Sequence, residues 1–253
     1  MTGQAITFDF HNTLAQCPEW FELEVRTLPS AFLRWRADGR GGELDPAVLD
    51  DADARYRQLR REIMDHGEEL PAEACLERVF AEMSLAVPAS DVATGVEQLM
   101  RQVLACASPV PGAVETVRAI HQAGVPLGIV SSAVYHPFLE WTLDGFGIRD
   151  VFAVVVTSAS AGFYKSRPEI YWHAAERIGA RPERMVHVGD SLRFDVGGAQ
   201  RAGLGGVWLR REPDESAANG IVPDLTLETL TAAAPEILAL LRTRIADGAR
   251  PPR

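Results

Sequence analysis

VHVGDSLRFDVGGAQRAG, residues 186–203, is an apolar run of β type that ends on Gly189-Asp190 and passes into a helix-type stretch. A second apolar run, 206–209, follows directly. Strand, helix and strand in so short a span predict a parallel crossover, because a parallel partner has to be reached by a helix laid over the sheet. Working backwards, the texture repeats: 111–123 reads as helix and 127–131 (LGIVS) as strand, 136–145 as helix and 153–157 (AVVVT) as strand, then 167–178 as helix and 185–188 as strand. Residues 5–10 (AITFDF) supply one more strand at the start. The fold class is therefore α/β, a doubly wound parallel sheet with helices on both faces.

Between the first strand and the rest lies a different pattern. From about residue 18 to 107 the apolar residues recur at helical spacing, as in Tyr56, Leu59 and Ile63 or Val96, Leu99, Met100 and Val103, with breaks at 39–42, near Gly67 and Pro71, and near Pro88. About four amphipathic helices without a strand are expected there, the first kinked at Pro29. The expected division is a core of residues 1–16 and 108–245, a helical insertion of 17–107, and a flexible tail of 246–253. A closing helix is expected over 227–244.

The 253 residues carry a net charge of −10, which speaks against a broad nucleic-acid surface. No apolar run approaches a membrane span and the N-terminus has no secretory pattern, so a cytoplasmic protein is expected, a monomer or homodimer without nucleic-acid or membrane partners. Cys17, Cys75 and Cys106 fit neither a disulfide framework nor a zinc cluster and are expected reduced and mostly buried. Of 25 basic residues Lys165 is the only lysine. In a chain that otherwise writes Arg, this marks a position where a compact, flexible ammonium is required.

Ligands of open α/β sheets bind beyond the carboxyl ends of the strands. Four such ends carry polar residues here: Asp9, His11, Asn12 and Thr13; Ser131 and Ser132; Lys165; and Asp190, Ser191 and Asp195. Singly each has a structural reading, the serines as turn formers and Asp190 as a helix cap. Together, in this order, they point to one anion-binding and cation-binding centre.

FDFHNTL, IVSS, GFYKSRPEIY and VHVGDSLRFDVGGAQRAG resemble the four motifs of the haloacid-dehalogenase-like (HAD) superfamily, and the helical insertion is similar to its C1 cap. The resemblance spans about residues 6–209. It implies a Rossmann-like core and a Mg²⁺-dependent phosphatase acting on a small phosphorylated metabolite. Asp9 is then the nucleophile, and Asp9, Asp190 and the His11 carbonyl hold Mg²⁺. Thr13, Ser131, Ser132 and Lys165 receive the phosphate, while Asp195 and Ser191 support them from behind. A carboxylate nucleophile splits one difficult displacement at phosphorus into two easier ones, and the charge spread over the transferring group calls for positioned cations.

His11 departs from the pattern, which usually places Asp two residues after the nucleophile. An imidazole can serve as acid and base near neutral pH, or the residue can contribute its carbonyl alone. Ser166 departs in a lesser way, standing where the motif has Pro. The alternatives are a 2-haloacid dehalogenase, which needs no metal and leaves Asp190 without purpose, and a catalytically weak or non-catalytic phosphate-binding protein, favoured by His11. A phosphonate-cleaving activity needs a cap lysine that the insertion lacks. Arg34, Arg36 and Arg40 are expected to be solvated surface residues, and Trp20, Phe21 and Trp35 to be packing residues of the helical block.

Overall fold

A computed structural model describes residues 3–39, 44–211 and 220–247. The sheet starts with β1 (Gly3–Phe8), β4 (Leu127–Ser131), β5 (Phe152–Thr157), β6 (Ala180–Gly189), β7 (Gly205–Leu209) and β8 (Leu225–Leu227), arranged in the order β5-β4-β1-β6-β7-β8. Every pairing in it is parallel. The runs that build it are rich in β-branched residues, which suit a surface buried on both sides.

Alternation along the strands splits the core into two layers. Ile6, Phe8, Leu127 and Ile129 face one way, toward α6 (Ala113–Gln122) and α11 (Ala234–Asp247), which bring Val117, Ile120, Ile237 and Leu241. Ala5, Val130, Val154 and Val156 face the other, against Ile170, Tyr171 and Ala174 of α9 (Glu169–Ile178). This is the expected doubly wound α/β sheet. One element was not legible: β8 is a three-residue edge strand where a helix was expected to begin, and α11 starts only at Ala234 and runs to Asp247. So short an edge strand carries no periodic signal. The helix also takes in residues 246 and 247, assigned above to the tail; 248–253 lie outside the described residues.

Two short strands, β2 (Ala15–Gln16) and β3 (Ser108–Pro109), pair antiparallel, so the chain leaves and re-enters the sheet region side by side. Among the described residues, the span between them holds α1 (Pro18–Glu22), α2 (Leu28–Asp38), α3 (Pro46–His66), α4 (Ala72–Glu82) and α5 (Ala89–Leu104), and no strand. The kink expected at Pro29 is a wide π-helical turn, Leu23–Thr27, after which Pro29 opens α2. Asp45 caps α3 by accepting from the Ala47 N–H at 2.9 Å. Gly67 ends it at φ +80, in the left-handed region that favours glycine. On α5, Val92, Val96, Leu99 and Met100 form the buried stripe. Gly95 lets that helix approach α2, since a Cβ there would lie 2.5 Å from the Phe32 ring.

Cys17 and Cys75 are buried, Cys106 is exposed, and all three are free thiols. No helix among the described residues is long and apolar enough to cross a membrane.

Candidate active site

The chain fills β1, β4 and β5 on one side before crossing to β6 on the other side of β1, so the direction of winding reverses between β1 and β6. Phe8 pairs with Val188 there, and the Asp9 N–H donates to the Val188 carbonyl at 2.8 Å. Asp9 and Asp190 therefore emerge side by side at the crevice where open α/β sheets bind ligands. Asn12 takes φ +59 just beyond Asp9, a conformation asparagine tolerates better than most residues, and its carbonyl accepts from Arg211 Nε at 3.1 Å.

Lys165, only 3% exposed, reaches in from the loop before α9. Its ammonium donates to Asp9 Oδ1 and, at 2.6 Å, to Asp195 Oδ1. Burial works against this charge, but Asp195 and Asp9 outweigh it and hold the ammonium above the ordinary lysine range. Asp195 is likewise penalised by burial, yet Lys165 and His187 keep its carboxyl well below the usual range. Its oxygens already serve three donors or partners: Lys165, the Ser191 N–H at 2.9 Å and His187 Nε2 at 3.3 Å. His187 is fixed in turn by Thr7 Oγ1 at 2.9 Å from Nδ1. Gly189 makes this packing possible, since a Cβ there would meet Asp195 Cγ at 2.2 Å.

The oxygens of Asp9, Asp190 and Asp195 come within 4.8 Å of one another. Burial raises the Asp9 carboxyl and Lys165 draws it back. Asp190 receives much less such help: burial, then the charges of Asp9 and Asp195, push it up to about 8. Three carboxylates gathered on one ammonium leave negative charge in excess, and an all-oxygen donor set of this kind fits a hard divalent cation such as Mg²⁺.

Asp9, His11, Ser131, Ser132, Lys165 and Asp190 line one cleft, with Ser191 and Asp195. Ser131 ends β4 and is buried; Ser132 Oγ accepts from the Lys165 N–H at 3.4 Å. Thr13 does not line the cleft: its hydroxyl turns to Asp9 Oδ2 at 3.3 Å. Ser191 caps a second π-helical turn, Leu192–Val196, by accepting from the Phe194 N–H at 3.2 Å, and that turn continues into α10 (Gly197–Arg201) where one regular helix was expected. Both π-helical turns of the described residues thus border the cleft, one through Glu24 and the other through Asp195.

The His11 ring lies flat on Phe21, centroids 4.5 Å apart and planes 3° from parallel, and burial pushes its imidazole down to about 4. Phe21 is 41% exposed and lines the cleft, so the expectation that it packs inside the helical block fails; its ring is taken up by the His11 ring from the loop after β1. Trp35 does pack inside, against Phe32, whereas the Trp20 ring packs outside the block on Phe10 and Phe138 and also borders the cleft. Arg34 and Arg36 are engaged elsewhere, by Ser30 and Asp91, and Arg40 lies outside the described residues.

Sequence reasoning passed over His187, Glu24 and Arg60. A histidine inside the apolar run MVHV next to Gly-Asp was a usable signal. Glu24 and Arg60 had none, because both arrive from the helical block through long-range packing. Arg60 is buried and paired with Glu69 through both terminal nitrogens, Nη2 to Oε2 at 3.1 Å, and Glu69 also accepts from Ser158 Oγ at 2.8 Å.

The family model of haloacid dehalogenase-like hydrolases matches residues 4–203. The chain is 31% identical over 179 residues to a protein of Methanopyrus kandleri named glyceraldehyde 3-phosphate phosphatase, covering 68% of this chain and 74% of that one. It is 32% identical over 125 residues to the pyrimidine 5'-nucleotidase YjjG of Escherichia coli, covering 49% of this chain and 54% of that one. Among solved structures, a 2-haloacid dehalogenase of Pseudomonas syringae pv. Tomato DC3000 aligns with TM-score 0.66 at 21% identity, over 93% of this chain and 98% of that chain. A HAD phosphatase of Thermococcus onnurineus aligns with TM-score 0.62 at 23% identity, over 93% and 97%. The structural likeness speaks for the fold, and the sequence match covers most of the chain, motifs included. The chain belongs to the haloacid dehalogenase-like hydrolase family.

Proposed function

We propose that this hydrolase is a Mg²⁺-dependent phosphomonoesterase that acts on a small phosphorylated metabolite through an aspartyl phosphate on Asp9, with residues 17–107 as the cap over the site. The observation that carries the reading is the Lys165 ammonium held between Asp9 and Asp195, beside a third carboxylate, Asp190. Relatives named as phosphatases of small phosphate esters support the same class.

Asp9 attacks phosphorus, the bond from phosphorus to the ester oxygen breaks, and that oxygen leaves with the proton of a His11 imidazolium, which becomes neutral. Water then attacks phospho-Asp9, His11 accepts the water's proton, and inorganic phosphate and the free Asp9 carboxylate result. Lys165 balances charge on the transferring group, and Ser131 with Ser132 offers it hydroxyl donors. Thr13 orients Asp9; Asp195, braced by His187 and Ser191, orients Lys165. Asp9, Asp190 and the His11 carbonyl would hold Mg²⁺, which supplies charge neutralisation when bound.

Phosphate release from p-nitrophenyl phosphate with Mg²⁺, absent in Asp9→Asn, is the expected result. Release that survives in Asp9→Asn removes Asp9 as nucleophile. Chloride release from 2-chloropropionate without metal, and no phosphate release, moves the chain to the dehalogenase reading.

A further inference from the structure

Two polar atoms at the cleft are buried and have no hydrogen-bond partner among the described residues: Trp20 Nε1 and Glu24 Oε2. Both side chains line the cleft that Asp9 enters, and both residues are 2% exposed. Leaving such groups unpaired is costly, by an amount comparable to a whole hydrogen bond for each, so a pair of them beside a ligand cleft marks where a ligand completes the bonding.

Neither group is free to turn away. The Trp20 ring stacks on Phe138 at 4.9 Å and meets Phe10 edge-on at 5.8 Å. Glu24 is held at its other oxygen by the Val134 N–H at 3.1 Å, and its backbone carbonyl accepts from the Tyr56 hydroxyl at 2.5 Å. The nearby cation does not complete it either, since the charge of Arg60 is matched by Glu69.

We propose that Trp20 and Glu24 form the subsite that recognises a hydroxyl group on the leaving-group side of the substrate, making the preferred ester a small polyol or sugar phosphate; this rests on the phosphatase reading above. The chemistry selects the hydroxyl. An indole N–H only donates, while a carboxyl oxygen accepts when ionised and donates when protonated. A hydroxyl meets both states: it accepts from Trp20 and donates to an ionised Glu24, or accepts from both when Glu24 is protonated. An ammonium satisfies Glu24 alone and leaves the indole N–H unpaired against a positive charge. A carboxylate is tolerated only by protonated Glu24. Burial, with a smaller opposing pull from Arg60, raises the Glu24 carboxyl to about 8, so both states lie near the neutral range. The apolar faces of Phe21 and Tyr164 in the same cleft suit the carbon skeleton.

The test compares glycerol phosphate, propyl phosphate, phosphoethanolamine and phosphoglycolate as substrates of the full chain with Mg²⁺, and as ligands of Asp9→Asn by calorimetry. Glycerol phosphate is expected to exceed propyl phosphate by about tenfold or more in kcat/KM and in affinity, the size of one or two completed hydrogen bonds. That ratio should collapse toward one in Trp20→Phe, which removes the N–H and keeps the ring stack, and in Glu24→Leu. A purely structural role would lower both esters together and leave the ratio intact, which overturns the inference. Preference for phosphoethanolamine or phosphoglycolate overturns it as well. If p-nitrophenyl phosphate is not hydrolysed, the phosphatase reading fails by itself, and the calorimetric ratio still decides the subsite.

Discussion

Lys165 Nζ lies 2.6 Å from Asp195 Oδ1, and both side chains are almost wholly removed from water. The pair is therefore a fixed part of the interior, and removing Asp195 leaves Lys165 to Asp9 alone and strips His187 Nε2 and the Ser191 N–H of their shared partner. Asp195→Ala is expected to destabilise the fold by about 3–5 kcal/mol, the range for removing one partner of a buried ion pair. The denaturant midpoint measures it; a loss below about 1 kcal/mol would mean the pair is solvated in solution.

Asp190 joins Asp9 and Asp195 around one ammonium, and its carboxyl is pushed up to about 8 chiefly by burial and then by those two charges. Asp190→Asn is expected to leave the metal-free protein at least as stable as the unmodified chain, since it relieves a repulsion. The same variant should lose the rise in Tm that Mg²⁺ gives the unmodified protein, and lose phosphate release. An undiminished Mg²⁺ response in Asp190→Asn would place the cation elsewhere.

The His11 imidazole rests flat on Phe21 at the cleft. His11→Ala is expected to lower kcat for p-nitrophenyl phosphate about 10²-fold, the low end for a lost acid/base group, with KM nearly constant. His11→Asp should recover part of the loss. An unchanged kcat in His11→Ala leaves the residue with its carbonyl alone.

Glu24 gives a pH-dependent stability whose sign is fixed by its environment. Burial raises its carboxyl from the ordinary 4.5 to about 8, Arg60 opposes the rise and Glu69 adds to it. The unfolded chain thus releases this proton near 4.5 and the folded chain only near 8. The contribution is fully present below 4.5 and is lost as pH rises to 8. Glu24→Gln has no proton to release, so its stability relative to the unmodified protein should grow between pH 5 and pH 8.5. Denaturant midpoints of both proteins at the two pH values give the comparison, and a difference that does not change with pH removes the effect.

The sequence by itself determined the α/β class and the strand-end residues Asp9, Ser131, Lys165 and Asp190. In a parallel sheet all carboxyl ends face one edge, so short apolar runs interrupted by helices are enough to bring those positions together. It also marked Lys165, because one lysine among so many arginines stands out without any geometry. Only the tertiary structure turned Thr13 from the cleft to Asp9, set His187 behind Asp195, carried Phe21 onto His11 and brought Glu24 and Arg60 beside the cleft. These relations join residues from separate elements, or hang on a π-helical turn with no repeat to read, and the charge state of each group follows from burial that no local pattern encodes.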